Sequence, residues 1–289
     1  MTWIGFFDEI ADHSAGPFMF DGTEELAAIK QHNARAWDKL ARQQVPLAQP
    51  ATNNDLADPL AKVDPLGWLG GSIRGLRVLC LAAGGGRHSA LYATAGALVT
   101  VVDVSGEMLA LDRAVGAERK FDIRTVQTSM DELAMFAAGE FDIVVHPVST
   151  CYLTDLSRTF AEVARVTKAG GLYISQHKSP TSLQAEVRPS GAGYRLVEPY
   201  YRDTPLPPSE PCRVRELGTL EFLHRWEQLI GGMCRAGFVI EDLVEPKHAE
   251  ENAEVGSFAH RSQYVAPYVR IKARRIDPVS RQRPVAVEW

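Results

Sequence analysis

From residue 76 onward, short apolar runs alternate with amphipathic stretches. The runs at 78–81, 97–102, 123–127, 141–145 and 172–175 read as strands, and the first is apolar throughout, as a strand buried on both faces is. Helical spacing fills the gaps. One helix covers 88–95, and a second is capped by Ser105 and runs to Glu118. A third, capped by Thr154, covers 155–168 with Leu156, Phe160, Val163 and Val166 on one stripe. Ala169-Gly170-Gly171 should end that helix in a left-handed turn and feed the fifth strand. After the last strand in this alternation, Trp226, Leu229, Ile230 and Met233 restore a helical period that stops at Gly237. Runs at 238–244 and 264–273 complete the strands. Strands alternating with helices predict an α/β fold, a doubly wound parallel sheet with helices on both faces.

Three segments break the rhythm. Residues 1–44 read as helical, with Leu26, Ile29, Trp37 and Leu40 near helical spacing in 24–41. Residues 45–71 form a connector in which Pro46, Pro50, Pro59 and Pro65 forbid a long helix, and its polar middle, 52–55, reads as loop. The expected division is therefore an N-terminal helical extension and linker over 1–75 and an α/β domain over 76–289. Within that domain, 176–218 is rich in proline and tyrosine and follows the fifth strand. It lies beyond a strand's carboxyl end, where open α/β sheets bind ligands, and reads as a cap over a substrate. Residues 277–289 read as a loose tail.

The chemistry concentrates after the first strand. Three glycines, Gly84, Gly85 and Gly86, turn the chain from strand to helix and let a ligand lie against bare backbone. The second strand ends in Asp103, whose carboxylate can accept from both hydroxyls of a ribose, so a nucleoside-containing ligand is implied. These two features fit a nicotinamide dinucleotide and S-adenosylmethionine equally.

Composition narrows the class. At 289 residues, 45% hydrophobic and 23% charged, the chain has the make-up of a globular protein with a full core. A net charge of −5 argues against a general nucleic-acid binder. Cys80, Cys151, Cys212 and Cys234 lack metal-site or disulfide-frame spacing, so free thiols and no metal site are expected. With no apolar run of spanning length and Asp8, Glu9 and Asp12 near the N-terminus, the expectation is a cytoplasmic protein without a signal peptide or membrane association.

The motifs as an ordered set resemble the class I S-adenosylmethionine-dependent methyltransferases over about 76–273. Val78-Leu-Cys-Leu-Ala-Ala-Gly-Gly-Gly86 is similar to their first motif and Val101-Val-Asp-Val-Ser-Gly-Glu-Met108 to their second. Phe141-Asp-Ile-Val-Val145 resembles their fourth-strand motif, and Ala164-Arg-Val-Thr-Lys-Ala-Gly-Gly171 their turn into strand five. The resemblance implies a Rossmann-like seven-stranded sheet whose last strand is antiparallel and inserted between the fifth and sixth. It implies S-adenosylmethionine as cofactor, bound by Ala82, Gly84, Gly85, Gly86, Asp103, Val104 and Met108. Ser129, Met130 and Asp131 would lie at the adenine and His146 at the fourth-strand tip. Cys80 stands where the family usually has an acid, Ala82 where it has its first glycine, and Ser129 where Asp is common.

Each candidate has a plainer alternative. Met108 and Met130 can flank adenine or pack the core, and Trp37 can cover the cofactor or simply be a core aromatic. His88 reads as helix surface, and His177 ranks below His224 as a site residue. Tyr152, Tyr200 and Tyr201 can line an acceptor pocket or pack the cap. His224, where the chain returns from the cap to the core, is the candidate catalytic residue, as a base or an orienting group. Three functions remain open at this point. They are methyl transfer to a small-molecule acceptor, a nicotinamide-dependent (NAD(P)) oxidoreductase, and a non-catalytic S-adenosylmethionine-binding partner subunit. The acidic surface and long cap favour the first.

Overall fold

A computed structural model describes residues 22–208 and 212–276. The readings of 1–21 as helical and of 277–289 as a tail fall outside the described residues. The strands are β1 (Arg77–Leu81), β2 (Leu98–Asp103), β3 (Ile123–Gln127), β4 (Phe141–His146), β5 (Thr167–Lys178), β6 (Phe238–Val244) and β7 (Tyr268–Arg275). They form one seven-stranded sheet in the order β3-β2-β1-β4-β5-β7-β6. β1 to β5 pair in parallel, while β7 runs antiparallel between β5 and β6. The helices are α1 (Gly22–Arg42), α2 (Asn53–Leu56), α3 (Pro59–Val63), α4 (Arg87–Thr94), α5 (Gly106–Arg119), α6 (Ser157–Val166), α7 (Pro180–Gln184), α8 (Gly232–Ala236) and α9 (Phe258–Arg261).

The side-chain period of β1 explains the layering. Leu79 and Leu81 point into a core with Phe160 and Val163 of α6 and Met233 of α8. Val78 and Cys80 point the other way, against Tyr92 of α4 and Leu109 of α5. All four are fully buried, as a central parallel strand covered on both faces requires.

Several boundaries differ from the sequence expectation, each for a local reason. Thr154 does not cap α6. The helix starts at Ser157, whose amide donates to Asp155 at 3.2 Å in an Asx turn. Its end is Val166, not Lys168, because Thr167 already pairs with Phe141 and belongs to β5. The left-handed Gly170 (φ 77°) sits in an irregularity within that strand. β5 extends past Ser175 because β7 pairs with it as far as Lys178. The polar stretch 52–55 is not loop: Thr52 and Asp55 form a reciprocal capping box that starts α2. The helix around Trp226 opens as a wide π turn, Glu227–Gly231, before α8. β7 begins at Tyr268, not 264, since α9 and its following turn use the preceding residues.

α1 lies against the carboxyl ends of the strands, held by polar contacts. Asn33 donates to Tyr152 O and Leu220 O, both at 3.1 Å, and accepts from the Leu220 amide at 2.8 Å. Asp38 accepts from the Ser105 hydroxyl at 2.6 Å, and Lys30 pairs with Asp131 at 2.7 Å. The N-terminal helix is thereby fixed over the β2–α5 and β3 turns.

Candidate active site

The glycine turn closes tightly on α5. A Cβ on Gly84 would stand 2.8 Å from Met108 Cβ and 3.0 Å from Asp103 Oδ2, so only glycine fits. Gly85 and Gly86 take φ of 115° and 75°, and Ala82 also sits in the left-handed region at φ 48°. For alanine that conformation costs roughly 1–2 kcal/mol, a strain localised where the strand gives way to the turn.

The amides of the turn are held by two carboxylates. Gly84 donates to Asp103 Oδ2 at 2.9 Å. Gly85 and Gly86 donate to Asp112 Oδ2 and Oδ1, each at 3.0 Å, and the Ser89 hydroxyl also donates to Asp112. Gly85 shares its proton with Met108 O at 3.1 Å. Sequence reasoning missed Asp112. The available signal was an acid on the buried stripe of α5, among Met108, Leu109, Val115 and Gly116.

Asp103 is itself buried, and its Oδ1 accepts from the Ser105 amide at 2.9 Å. Burial raises its pKa against the pull of these amides. Val104 presents its carbonyl to Gln127 at 3.1 Å. Met108 packs with Ala41, Ala48 and Trp37, while Met130 lies in the main core with Leu81 and Val102. The Ser129 hydroxyl donates to Asp131, whose other oxygen takes Lys30. Trp37 stands edge-on to Tyr152 with ring centroids 5.9 Å apart.

A row of buried histidines follows at the ends of β4 and β5. His146 contacts the Tyr173 hydroxyl at 2.8 Å and the Ser149 hydroxyl at 2.7 Å, so both ring nitrogens are engaged. Burial pushes its pKa down to about 3. His177 bridges Thr150 Oγ1 and Ser175 Oγ at 2.9 and 2.8 Å. His224 directs Nε2 at the carbonyls of Thr150 (3.0 Å) and Leu153 (2.9 Å). Carbonyls only accept, so Nε2 carries the proton and Nδ1 keeps its lone pair. That Nδ1 is buried with no hydrogen-bond partner, and burial pushes the imidazole down to about 4.

The segment that follows β5 is tied down by buried polar contacts. Lys178, buried at the end of β5, pairs with Glu216 at 2.6 Å and Glu221 at 2.9 Å, and the Tyr152 hydroxyl donates to Glu216 at 2.8 Å. Arg261 of α9 holds the carbonyls of Ser182, Ala185 and Glu186 at 2.6, 3.1 and 2.8 Å. Tyr200 and Tyr201 pack beside 225–226, and Tyr201 is mostly exposed. Tyr152 is therefore part of the clamp, whereas Tyr201 sits on the surface. Between α3, α4 and the ends of β4 and β5, a cavity of about 270 Å³ is lined by Asp64, Arg87, Tyr92, Pro147, Gln176 and Arg270 and by none of the three turn glycines. His88 also lines it, half-buried with its pKa pushed down to about 4 by desolvation, so it is not simply helix surface. Among the described residues, no group of three or more His, Cys, Asp or Glu could hold a metal, and no helix is long and apolar enough to cross a membrane.

Residues 79–175 match the family model described as "Methyltransferase domain". The chain is 34% identical over 236 residues to the "Uncharacterized methyltransferase YbaJ" of Bacillus subtilis (strain 168), covering 77% of this chain and 92% of that protein. Among solved structures, an S-adenosylmethionine-dependent methyltransferase from Mesorhizobium loti superposes with a TM-score of 0.59 at 21% identity, over 76% of this chain and all of the other. Geranyl diphosphate C-methyltransferase from Streptomyces coelicolor A3(2), solved with Mg2+, geranyl diphosphate and S-adenosyl-L-homocysteine, gives 0.56 at 15% identity, over 86% of this chain and 98% of that one.

Proposed function

The chain belongs to the class I S-adenosylmethionine-dependent methyltransferases, and we propose that it transfers the methyl group to a small molecule held under the cap. The observation that carries this reading is the pinned cap: Lys178, Glu216 and Glu221 tie it to the end of β5, which favours an enclosed acceptor over a polymer in an open groove. The net charge of −5 points the same way. Incubating the protein with labelled cofactor and a panel of small molecules, DNA and RNA tests it. Label appearing only in nucleic acid would overturn the acceptor class.

The residues at the turn suit the cofactor's chemistry. S-adenosylmethionine supplies a methyl group activated on a sulfonium, and it carries an ammonium as well. Asp103 and Asp112 put two carboxylates at the glycine turn, which favours a cationic ligand. A dinucleotide would instead need turn amides free for its pyrophosphate, and here those amides are taken by anions. Calorimetry is therefore expected to show binding of S-adenosylmethionine and S-adenosylhomocysteine and none of NAD; the reverse order would reject the assignment.

Within this reading Asp103 accepts from the ribose hydroxyls, Ser129 to Asp131 border the adenine, and the backbone at 82, 84–86, 104, 108, 130 and 146 completes the cofactor site. Asp103→Ala should weaken S-adenosylhomocysteine binding by about 2–4 kcal/mol, since each hydrogen bond to a charged acceptor is worth ~1.5–3 kcal/mol. The same change strips an acceptor from the Gly84 and Ser105 amides, so the melting temperature should drop too. A folded variant that binds as tightly as the parent would contradict the ribose placement.

A further inference from the structure

We infer that Asp112 is a positioning residue for the cofactor site, holding the glycine turn in its binding conformation from the neighbouring helix. The inference rests on the reading of that turn as the cofactor cradle. Its geometry is specific: two successive turn amides, Gly85 and Gly86, end on the two oxygens of one carboxylate, and Ser89 from the first turn of α4 adds a hydroxyl. Asp112 has no exposed surface, and no cation pairs with it among the described residues. From β1 the titratable group facing it is the Cys80 thiol, which burial pushes up, and from β2 it is Asp103. The strand beneath the turn thus offers a thiol and no charge, and the acceptor for both amides comes from α5.

Stability alone does not explain an acid at this position. Burial raises Asp112 to about 6 despite its three hydrogen bonds. The folded chain therefore holds that proton more tightly than the unfolded chain, where an aspartate titrates near ~3.9. By linkage, ionising Asp112 loses stability as the pH rises from about 4 to about 6. At neutral pH the carboxylate is a load on the fold, while only the ionised form offers an acceptor to both amides without competing through a proton of its own. A carboxylate that is ionised at a cost relative to its protonated form, with its two oxygens on successive turn amides, fixes the ligand-bearing turn.

Asp112→Asn separates these roles. The amide keeps one acceptor oxygen, but its NH2 meets the second turn N–H donor to donor. Titration with S-adenosylhomocysteine at pH 8 should show affinity reduced by at least about tenfold. The melting temperature should stay within about 4 °C of the parent. The parent's affinity should fall as the pH is lowered through about 6, and the variant's profile should lack that step. A folded variant with the parent's affinity overturns the inference. If the variant does not fold, Ser89→Ala decides, since it removes the hydroxyl that orients the Asp112 carboxylate: a folded Ser89→Ala with the parent's affinity overturns the inference, and weakened binding with the parent's melting temperature upholds it. A parent that binds no S-adenosylhomocysteine at pH 8 rejects the cofactor reading itself, and this inference with it.

Discussion

Lys178→Met is expected to lower the melting temperature by about 6–20 °C. The lysine is almost wholly buried, 2.6 Å from Glu216 and 2.9 Å from Glu221, and Glu221 has no exposed side-chain surface. Removing one partner of a buried ion pair typically costs 3–5 kcal/mol, because the remaining charge loses its counter-ion without regaining water, and each kcal/mol is worth ~2–4 °C in a domain this large. Arg215 offsets part of this, since its Nε lies 3.4 Å from Glu221, but it does not hydrogen-bond there. The loss should come from the stranded carboxylates and not from the missing methylenes, which methionine replaces. Adding Glu216→Gln and Glu221→Gln to Lys178→Met should therefore recover most of the lost stability, and calorimetric melting of the single and triple variants checks it. A single variant that melts with the parent would show that 216–221 is held elsewhere. Because the cluster joins 216–221 to the end of β5, loosening it should also raise protease sensitivity around 212–221 before the rest of the domain.

The sheet could be read from the sequence because its signals are local. β1 is apolar at every buried position and Asp103 closes β2, while the antiparallel last strand between β5 and β6 came only from the family resemblance. Boundaries failed where a side chain or a distant strand decided them. Asp155 took over the start of α6 from Thr154, and β7 drew β5 out to Lys178. The polar network was far less legible. Lys178 gains its partners only when Glu216 and Glu221, some forty residues later, fold back onto it. Asp112 is visible only as a charge on an apolar stripe, and only the fold shows that the stripe faces the glycine turn. The histidines were found individually, but their partners at 149, 150 and 175 depend on how β4 and β5 end side by side.

Turnover in His224→Gln is expected to fall by about 10²- to 10⁴-fold if Nδ1 receives a proton from the acceptor, the range general base catalysis contributes. The imidazole has a fixed tautomer: Nε2 donates to Thr150 O and Leu153 O, leaving Nδ1 as an unpaired buried acceptor. Burial pushes the ring down to about 4, so it is neutral at pH 7 and its buried Nδ1 keeps a lone pair. The same low value makes it a weak base, which suits an acceptor that loses its proton as the methyl bond forms, not before. Glutamine is the informative replacement because its side-chain NH2 can reach the two carbonyls as Nε2 does, while it offers no basic nitrogen. His224→Ala, by contrast, also abandons both carbonyls and should lose stability together with turnover. Cofactor affinity should stay at the parent value in both variants, since the carboxylates that hold the glycine turn lie on β2 and α5. Turnover, melting temperature and S-adenosylhomocysteine affinity measured on the pair separate a base from a strut. If His224→Gln keeps the parent's turnover, the ring only braces the turn after β4, and the acceptor's proton leaves by another group or directly to water.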